Sequence, residues 1–132
     1  MTDKKEILII DDEKDFCFFV KKNLEQRGDF SVLIATDPDK GIRIAKRKTP
    51  DLILLDISMP KKDGFTVLDI LKKNTKTIFI PVVLLTAVVE DDAKVKASGL
   101  YGEDYITKPV ASEALAAKID EVFIRHNRFL TR

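Results

Sequence analysis

Cysteine occurs once in the 132 residues, as Cys17, and histidine once, as His126. One cysteine excludes an internal disulfide and a cysteine-cluster metal site. One histidine excludes an internal phosphohistidine relay and a histidine metal centre. The five glycines form neither a P-loop nor a glycine-rich phosphate loop, which argues against a nucleotide or flavin carrier. No sign of charge dominates: 23 basic residues against 22 acidic ones leave a net charge of +1. That balance gives no general attraction to nucleic acid or to a membrane surface. No apolar run approaches the roughly 18 residues of a membrane helix. The opening Met-Thr-Asp-Lys-Lys-Glu has no signal-peptide pattern, so the expected location is the cytoplasm.

What is present is an ordinary globular balance, 45% hydrophobic and 34% charged, enough to bury a core without staples. The chain predicts a single domain over 1–132, with its core over about 5–125 and a C-terminal tail from 126. No linker is read, and no output domain is expected unless the 132 residues are a fragment of a longer chain. Five short runs rich in Ile, Val and Leu recur at 7–10, 30–35, 52–55, 78–85 and, more weakly, around 105–107. They are nearly continuous rather than alternating, as in parallel strands covered on both faces. Pro81 falls near the start of the fourth run, where a missing N–H is tolerable.

Helical spacing fills the gaps. Phe16, Val20 and Leu24 share a face, and Gly28 follows as a stop. Cys17 lies in this helix and reads as a small core residue rather than a reactive thiol. Thr36 or Asp37 can cap a second helix with Pro38 in its first turn, ended by Thr49-Pro50. A third, 64–73, buries Phe65, Leu68 and Leu71. A fourth, 90–98, has only a thin apolar face, and a fifth buries Leu115, Ile119 and Val122 before fading into residues 125–128. Five βα units with short connections predict an α/β fold: a doubly wound parallel sheet of five strands with five helices.

In such sheets ligands bind beyond the carboxyl ends of the strands. Those ends carry Asp11 and Asp12, Asp56, Thr86 and Lys108. Singly, Thr86 reads as a helix cap and Lys108 as a solvated charge. Together the set is harder to dismiss: only one of two adjacent acids can cap a helix, and Asp56 is followed by a loop that delays the next helix. Converging carboxylates repel one another unless a cation sits among them. Oxygen ligands that leave room for water suit Mg2+ better than Ca2+. A carboxylate flanked by a metal and an ammonium can attack phosphorus and form an aspartyl phosphate.

Asp11-Asp12-Glu13 after the first strand, Asp-Ile-Ser-Met-Pro-Lys-Lys-Asp-Gly over 56–64, Leu-Leu-Thr-Ala ending at Ala87 and Tyr-Ile-Thr-Lys-Pro ending at Pro109 resemble the receiver domains of bacterial response regulators. The resemblance covers about residues 5–123. It implies a flavodoxin-like sheet in the order 2-1-3-4-5, the order of this family's chemotaxis member, which is a standard illustration of that topology. It further implies that Asp56 is the phosphoacceptor and that Thr86 and Lys108 contact the phosphoryl group. Mg2+ would be held by Asp56, directly by Asp12, mainly through water by Asp11, and by the Ser58 main-chain carbonyl. The Lys108–Pro109 peptide would be cis. Tyr105 would be the aromatic of a switch, turning inward as Thr86 moves toward the phosphoryl group; a tyrosine merely packed on an edge strand is the alternative. The expected donor is a histidine kinase or histidine phosphotransfer protein. A downstream protein would read the face of the fourth helix, fifth strand and fifth helix, with no nucleic acid bound directly. The chain would be a signalling phosphoacceptor of a two-component or phosphorelay system, catalysing only its own phosphorylation and dephosphorylation.

Two rival functions are weaker. An aspartate-nucleophile hydrolase places a second acid two residues after the nucleophile, where this chain has Ser58. A phosphorylation-independent adaptor loses an acid, the Thr or the Lys, and here all remain. The chain also departs from the family pattern. Tyr101, flanked by Gly99 and Gly102, stands where glycine is frequent, and Val110 replaces a frequent Phe. Ser58 and Val88 occupy positions that tune phosphoryl lifetime. Met59 reads as a packing or loop residue; Lys61, Lys62, Lys72 and Lys73 read as solvated charges.

Overall fold

The computed structural model describes residues 4–86 and 104–130, with side chains to residue 127. Five strands, β1 (Lys5–Ile10), β2 (Phe30–Ala35), β3 (Leu52–Asp56), β4 (Val82–Thr86) and β5 (Asp104–Thr107), form one sheet in the order β2-β1-β3-β4-β5. Every neighbouring pair is parallel. The described helices are α1 (Lys14–Gln26), α2 (Pro38–Lys48), α3 (Gly64–Lys72) and α4 (Ser112–Leu130). The helix expected over 90–98 lies outside the described residues, as do Val88, Gly99, Tyr101 and Gly102.

The near-continuous apolar strands are explained by two cores, one on each face. Successive strand residues point to opposite sides. Leu8, Ile10, Ile53, Leu55 and Leu84 pack with Ile42, Val67, Leu68 and Leu71 from α2 and α3. Ile7, Ile9, Leu52, Leu54, Val83 and Leu85 pack with Cys17, Val20, Leu24, Leu115 and Ile119 from α1 and α4. Gly28, at φ +87°, ends the first βα unit. Asp37 caps α2 by accepting from the Lys40 N–H at 3.1 Å, and Pro38 opens the helix. Thr49, at φ 42°, closes it in the left-handed region.

Four expectations need correction. The run 78–85 is only partly strand: β4 begins at Val82. The Thr77 hydroxyl donates to the Leu71 carbonyl at 2.6 Å, and Lys72 Nζ donates to the Ile78 and Ile80 carbonyls at 3.3 and 3.0 Å. These bonds hold the segment in a turn and leave Phe79 73% exposed. Lys72 is therefore a loop fastener, whereas Lys73 remains the solvated charge expected, pairing on the surface with Asp69 at 3.0 Å. Helix α3 buries Val67 with Leu68 and Leu71, while Phe65 is only half-buried. Lys61 remains the solvated charge expected, 3.5 Å from Asp37, whereas Lys62 is part-buried and reaches Asp39 at 2.9 Å, joining the β3–α3 loop to the start of α2. Finally, α4 does not fade at residue 125 but runs to Leu130, and Arg125 pairs with Asp104 of β5.

One side of the sheet ends at β2. There the main-chain groups of Val32 are taken by α1: Lys21 Nζ donates to its carbonyl at 2.8 Å, and its N–H donates to Glu25 Oε2 at 2.9 Å. Lys21 and Glu25 pair at 2.8 Å. The Lys21 ammonium and the Val32 N–H hold the Glu25 carboxyl below its ordinary range.

Candidate functional site

Parallel pairing lines up the carboxyl ends of the strands and sets the site residues on rigid main chain. Asp11 prolongs β1, its N–H donating to the Ala35 carbonyl at 3.1 Å. Asp56 ends β3 and Thr86 ends β4, and both are buried. Lys108 follows β5, with its N–H on the Thr86 carbonyl at 2.7 Å. The Lys108–Pro109 peptide is cis. Tyr105, in register with Leu84, is half-buried against the core under α2 and α3.

Asp11, Asp12 and Asp56 each bring a carboxylate oxygen to within 4.8 Å of the other two. Asp12 is exposed, whereas Asp11 is wholly buried. Each buried acid has one oxygen anchored by main chain. Asp11 Oδ1 accepts from the Glu13 N–H at 2.9 Å, and Asp56 Oδ1 accepts from the Ser58 N–H at 3.1 Å. The second oxygens face the Lys108 ammonium, which stands 2.7 Å from Asp11 Oδ2 and 3.9 Å from Asp56 Oδ2. The approach to Asp11 is a close ion pair lying off the hydrogen-bonding direction, so Asp11 Oδ2 is buried without a directed donor.

Electrostatics follow from this crowding. Burial pushes the Asp56 carboxyl up to about 6, against the Ser58 N–H that favours its ionised form; the negative charge of Asp11 adds to the rise. Asp11 is likewise raised by burial, with Lys108 opposing. Burial alone would lower Lys108, but Asp11 and Glu13 outweigh it and hold the ammonium charged. The Cys17 thiol, buried and beside Asp11, is pushed up to about 12 and points its sulfur at the Asp11 carbonyl, 3.3 Å away. It is a packing residue.

Asp11 and Asp56 share an ammonium that is also claimed by Glu13, and Asp12 adds a third carboxylate beside them, leaving an excess of negative charge around a buried oxygen with no directed donor. That donor set is all hard oxygen, partly open to water through Asp12, and fits Mg2+. If Asp11, Asp12 and Asp56 hold the ion, millimolar Mg2+ raises the melting temperature, since a ligand bound only by the folded state stabilises it. Asp12→Ala is expected to remove most of that gain in a thermal unfolding series with and without chelator. Two hollows flank the cluster. One, of about 280 Å³, is lined by Asp12, Thr36, Asp37, Pro38, Met59, Pro60 and Lys61. The other, of about 450 Å³, is lined by Glu13, Phe16, Phe19, Lys108, Pro109 and Val110.

Two neighbours of Lys108 were not among the site residues expected from the sequence. Glu13 Oε1 accepts from its Nζ at 2.7 Å, and the Phe16 ring lies with its centroid 4.5 Å from the same nitrogen. A signal for Glu13 was available: a glutamate stands where helix α1 favours Ser, Thr, Asp or Asn.

A five-stranded parallel sheet with acids and a lysine at its carboxyl rim defines a class, and comparison with known proteins names it. Residues 7–120 match the response regulator receiver domain family, to which this chain belongs. It is 39% identical over 122 residues to the DNA-binding dual master transcriptional regulator RpaA of Synechocystis sp., covering 92% of this chain and 50% of that protein. It is 34% identical over 121 residues to the alkaline phosphatase synthesis transcriptional regulatory protein PhoP of Bacillus subtilis, covering 92% and 49%. The chain thus spans about half the length of these curated relatives. Among solved structures, a receiver domain protein from Clostridium thermocellum superposes with a TM-score of 0.83 at 30% identity, covering 95% of this chain and 98% of that one. A CheY-like receiver domain from Methanospirillum hungatei gives 0.82 at 28%, covering 96% and 98%. No helix among the described residues is long and apolar enough to cross a membrane.

Proposed function

We propose that this chain is a phosphoacceptor that takes a phosphoryl group on Asp56 from a phosphohistidine of a kinase or phosphotransfer protein. The observation that carries the reading is the pairing of a buried Asp56 with an acid cluster on one side and the Lys108 ammonium on the other. Transfer forms an O–P bond to the Asp56 carboxylate as the P–N bond of the donor imidazole breaks, and the departing imidazole takes a proton from water. Burial makes Asp56 more basic than an ordinary carboxylate, yet with a value of about 6 it is mostly ionised at neutral pH. Its anchored Oδ1 leaves Oδ2 to attack. Lys108 neutralises an equatorial oxygen of the transferring group, and the Thr86 hydroxyl donates to another. Mg2+ would be held by Asp56, directly by Asp12, mainly through water by Asp11, and by the Ser58 main-chain carbonyl, and would supply Lewis-acid neutralisation of the crowded carboxylates and the phosphoryl oxygens.

The product is a signal rather than a released metabolite. Thr86 moves toward the phosphoryl group, Tyr105 turns into the vacated space, and the surface formed by β5 and α4 changes its affinity for a cytoplasmic partner protein. DNA binding, named for the cyanobacterial relative, is not assigned to these 132 residues, whose net charge is only +1. Incubation with acetyl phosphate and Mg2+ followed by intact-mass measurement tests the proposal. One added phosphoryl group is expected, lost when the metal is chelated. A folded protein that takes no label, or takes it equally in chelator, overturns the reading.

A further inference from the structure

We infer that Glu13 is a positioning residue that restrains Lys108 and so limits how fast Asp56 is phosphorylated; the inference rests on the phosphoacceptor reading above. Glu13 occupies the N-cap of α1, where a short polar side chain would satisfy a free N–H of the first turn. Its own side chain makes no such bond. It crosses instead to a residue 95 positions away and accepts from Lys108 Nζ at 2.7 Å. The helix gives up its side-chain cap, and the carboxylate is spent on the Lys108 ammonium.

The consequence lies in where that ammonium stands. Asp11 Oδ2 and Glu13 Oε1 are each 2.7 Å from it, and the Phe16 ring covers a further side. Asp56 Oδ2, at 3.9 Å, is too far for a hydrogen bond. Lys108 is therefore parked beside the acceptor rather than on it. A cation bound by the three aspartates would draw off Asp11, but Glu13 is not one of that group and would keep its hold. A phosphoryl oxygen arriving on Asp56 would compete with Glu13 for the Lys108 ammonium, whose charge is drawn toward α1 by the 2.7 Å contact. Glu13 is 63% exposed, so water screens the pair and the brake is mild, about two- to fivefold in rate.

The test is the labelling rate of the purified protein across a range of acetyl phosphate concentrations at fixed Mg2+, for wild type, Glu13→Gln and Glu13→Ser. Glutamine keeps the length and removes the charge; serine also removes it but restores a cap, so the two differ in stability. Both variants are expected to raise the maximal rate by about two- to fivefold, with the half-saturating concentration and Mg2+ affinity unchanged. In a Lys108→Ala background, Glu13→Gln is expected to have no effect. A merely structural role would make the rates follow stability, separating serine from glutamine, and would overturn the inference. So would an unmoved maximal rate, a gain confined to the half-saturating concentration, or a gain that survives Lys108→Ala. Wild type that labels beside unmoved variants overturns this inference alone; wild type that never labels overturns the phosphoacceptor reading and this with it.

Discussion

Exchanging Asp56 for asparagine is expected to lower acetyl phosphate labelling by more than about 100-fold while making the metal-free protein harder to unfold. Loss of labelling follows from loss of the attacking oxygen, because an amide is no nucleophile toward phosphorus. The gain in stability follows from the same burial that equips the carboxylate. Asparagine keeps an oxygen for the Ser58 N–H and replaces a second negative oxygen, crowded by Asp11, with neutral donors. With the folded carboxyl at about 6 against an ordinary 3.8, the ionised residue costs on the order of 2–3 kcal/mol at pH 7. The sign with pH is set by the raised value. Above pH 7 both folded and unfolded chains carry the charge and the cost is complete. As pH falls through 6 the folded state takes up a proton first, and the cost is relieved by about pH 4. Denaturant titrations between pH 7.5 and 5 in chelator should show wild type gaining on the variant. Below that window the depressed carboxyls of Glu25 and Asp37 begin to protonate and work the other way. A variant that is less stable than wild type at pH 7, or a gap that ignores pH, would contradict the electrostatic account.

Gly64→Ala is expected to destabilise the fold by about 2–4 kcal/mol and to damage a site it does not touch chemically. A Cβ at position 64 would stand 2.4 Å from Ile57 Cα and 2.6 Å from the Asp56 carbonyl oxygen. Both are main-chain atoms of the turn that carries the acceptor, and they cannot swing aside as a side chain would. Gly64 also donates its N–H to the Ile57 carbonyl at 3.1 Å, so the helix start and the acceptor turn are pinned face to face. Relief requires displacing the 56–58 segment, with loss of Mg2+ affinity and labelling. Gly28→Ala is the control: it has a positive φ but nothing within 4 Å, so it should cost about 1 kcal/mol of backbone strain and leave Mg2+ binding intact. Chemical denaturation paired with Mg2+ titration separates the two. A Gly64→Ala protein of wild-type stability would refute the close approach.

Much of the fold was legible because parallel strands sheathed on both faces leave continuous apolar runs, and residues 30–35 coincide with β2. The candidate site was legible for a related reason. A parallel sheet gathers its carboxyl ends on one rim, so polar residues at strand ends are neighbours wherever they lie in the chain. What stayed hidden depends on long-range side-chain bonds. Residues 78–80 are as apolar as a strand, and only the reach of Lys72 and Thr77 to main-chain carbonyls turns them aside. The spacing that pointed to Phe65 also allows Val67, and packing under α2 chose the latter. Nothing local announces that Glu13 will meet Lys108, since the pair exists only once β1 and β5 share a sheet.

The ion pair laid over Val32 bears on how this molecule keeps company with itself. An outer strand with idle main-chain groups is an invitation to sheet-to-sheet polymerisation, and charged residues at such a margin are a known deterrent. Here the deterrent is supplied by a neighbouring helix and grips both the carbonyl and the amide at the strand's midpoint. A second copy could not zip onto that margin without evicting Lys21 and Glu25 together. Because Glu25 holds its charge below the ordinary carboxylate range, the stopper persists in mild acid, and self-association is steered toward surfaces built of side chains.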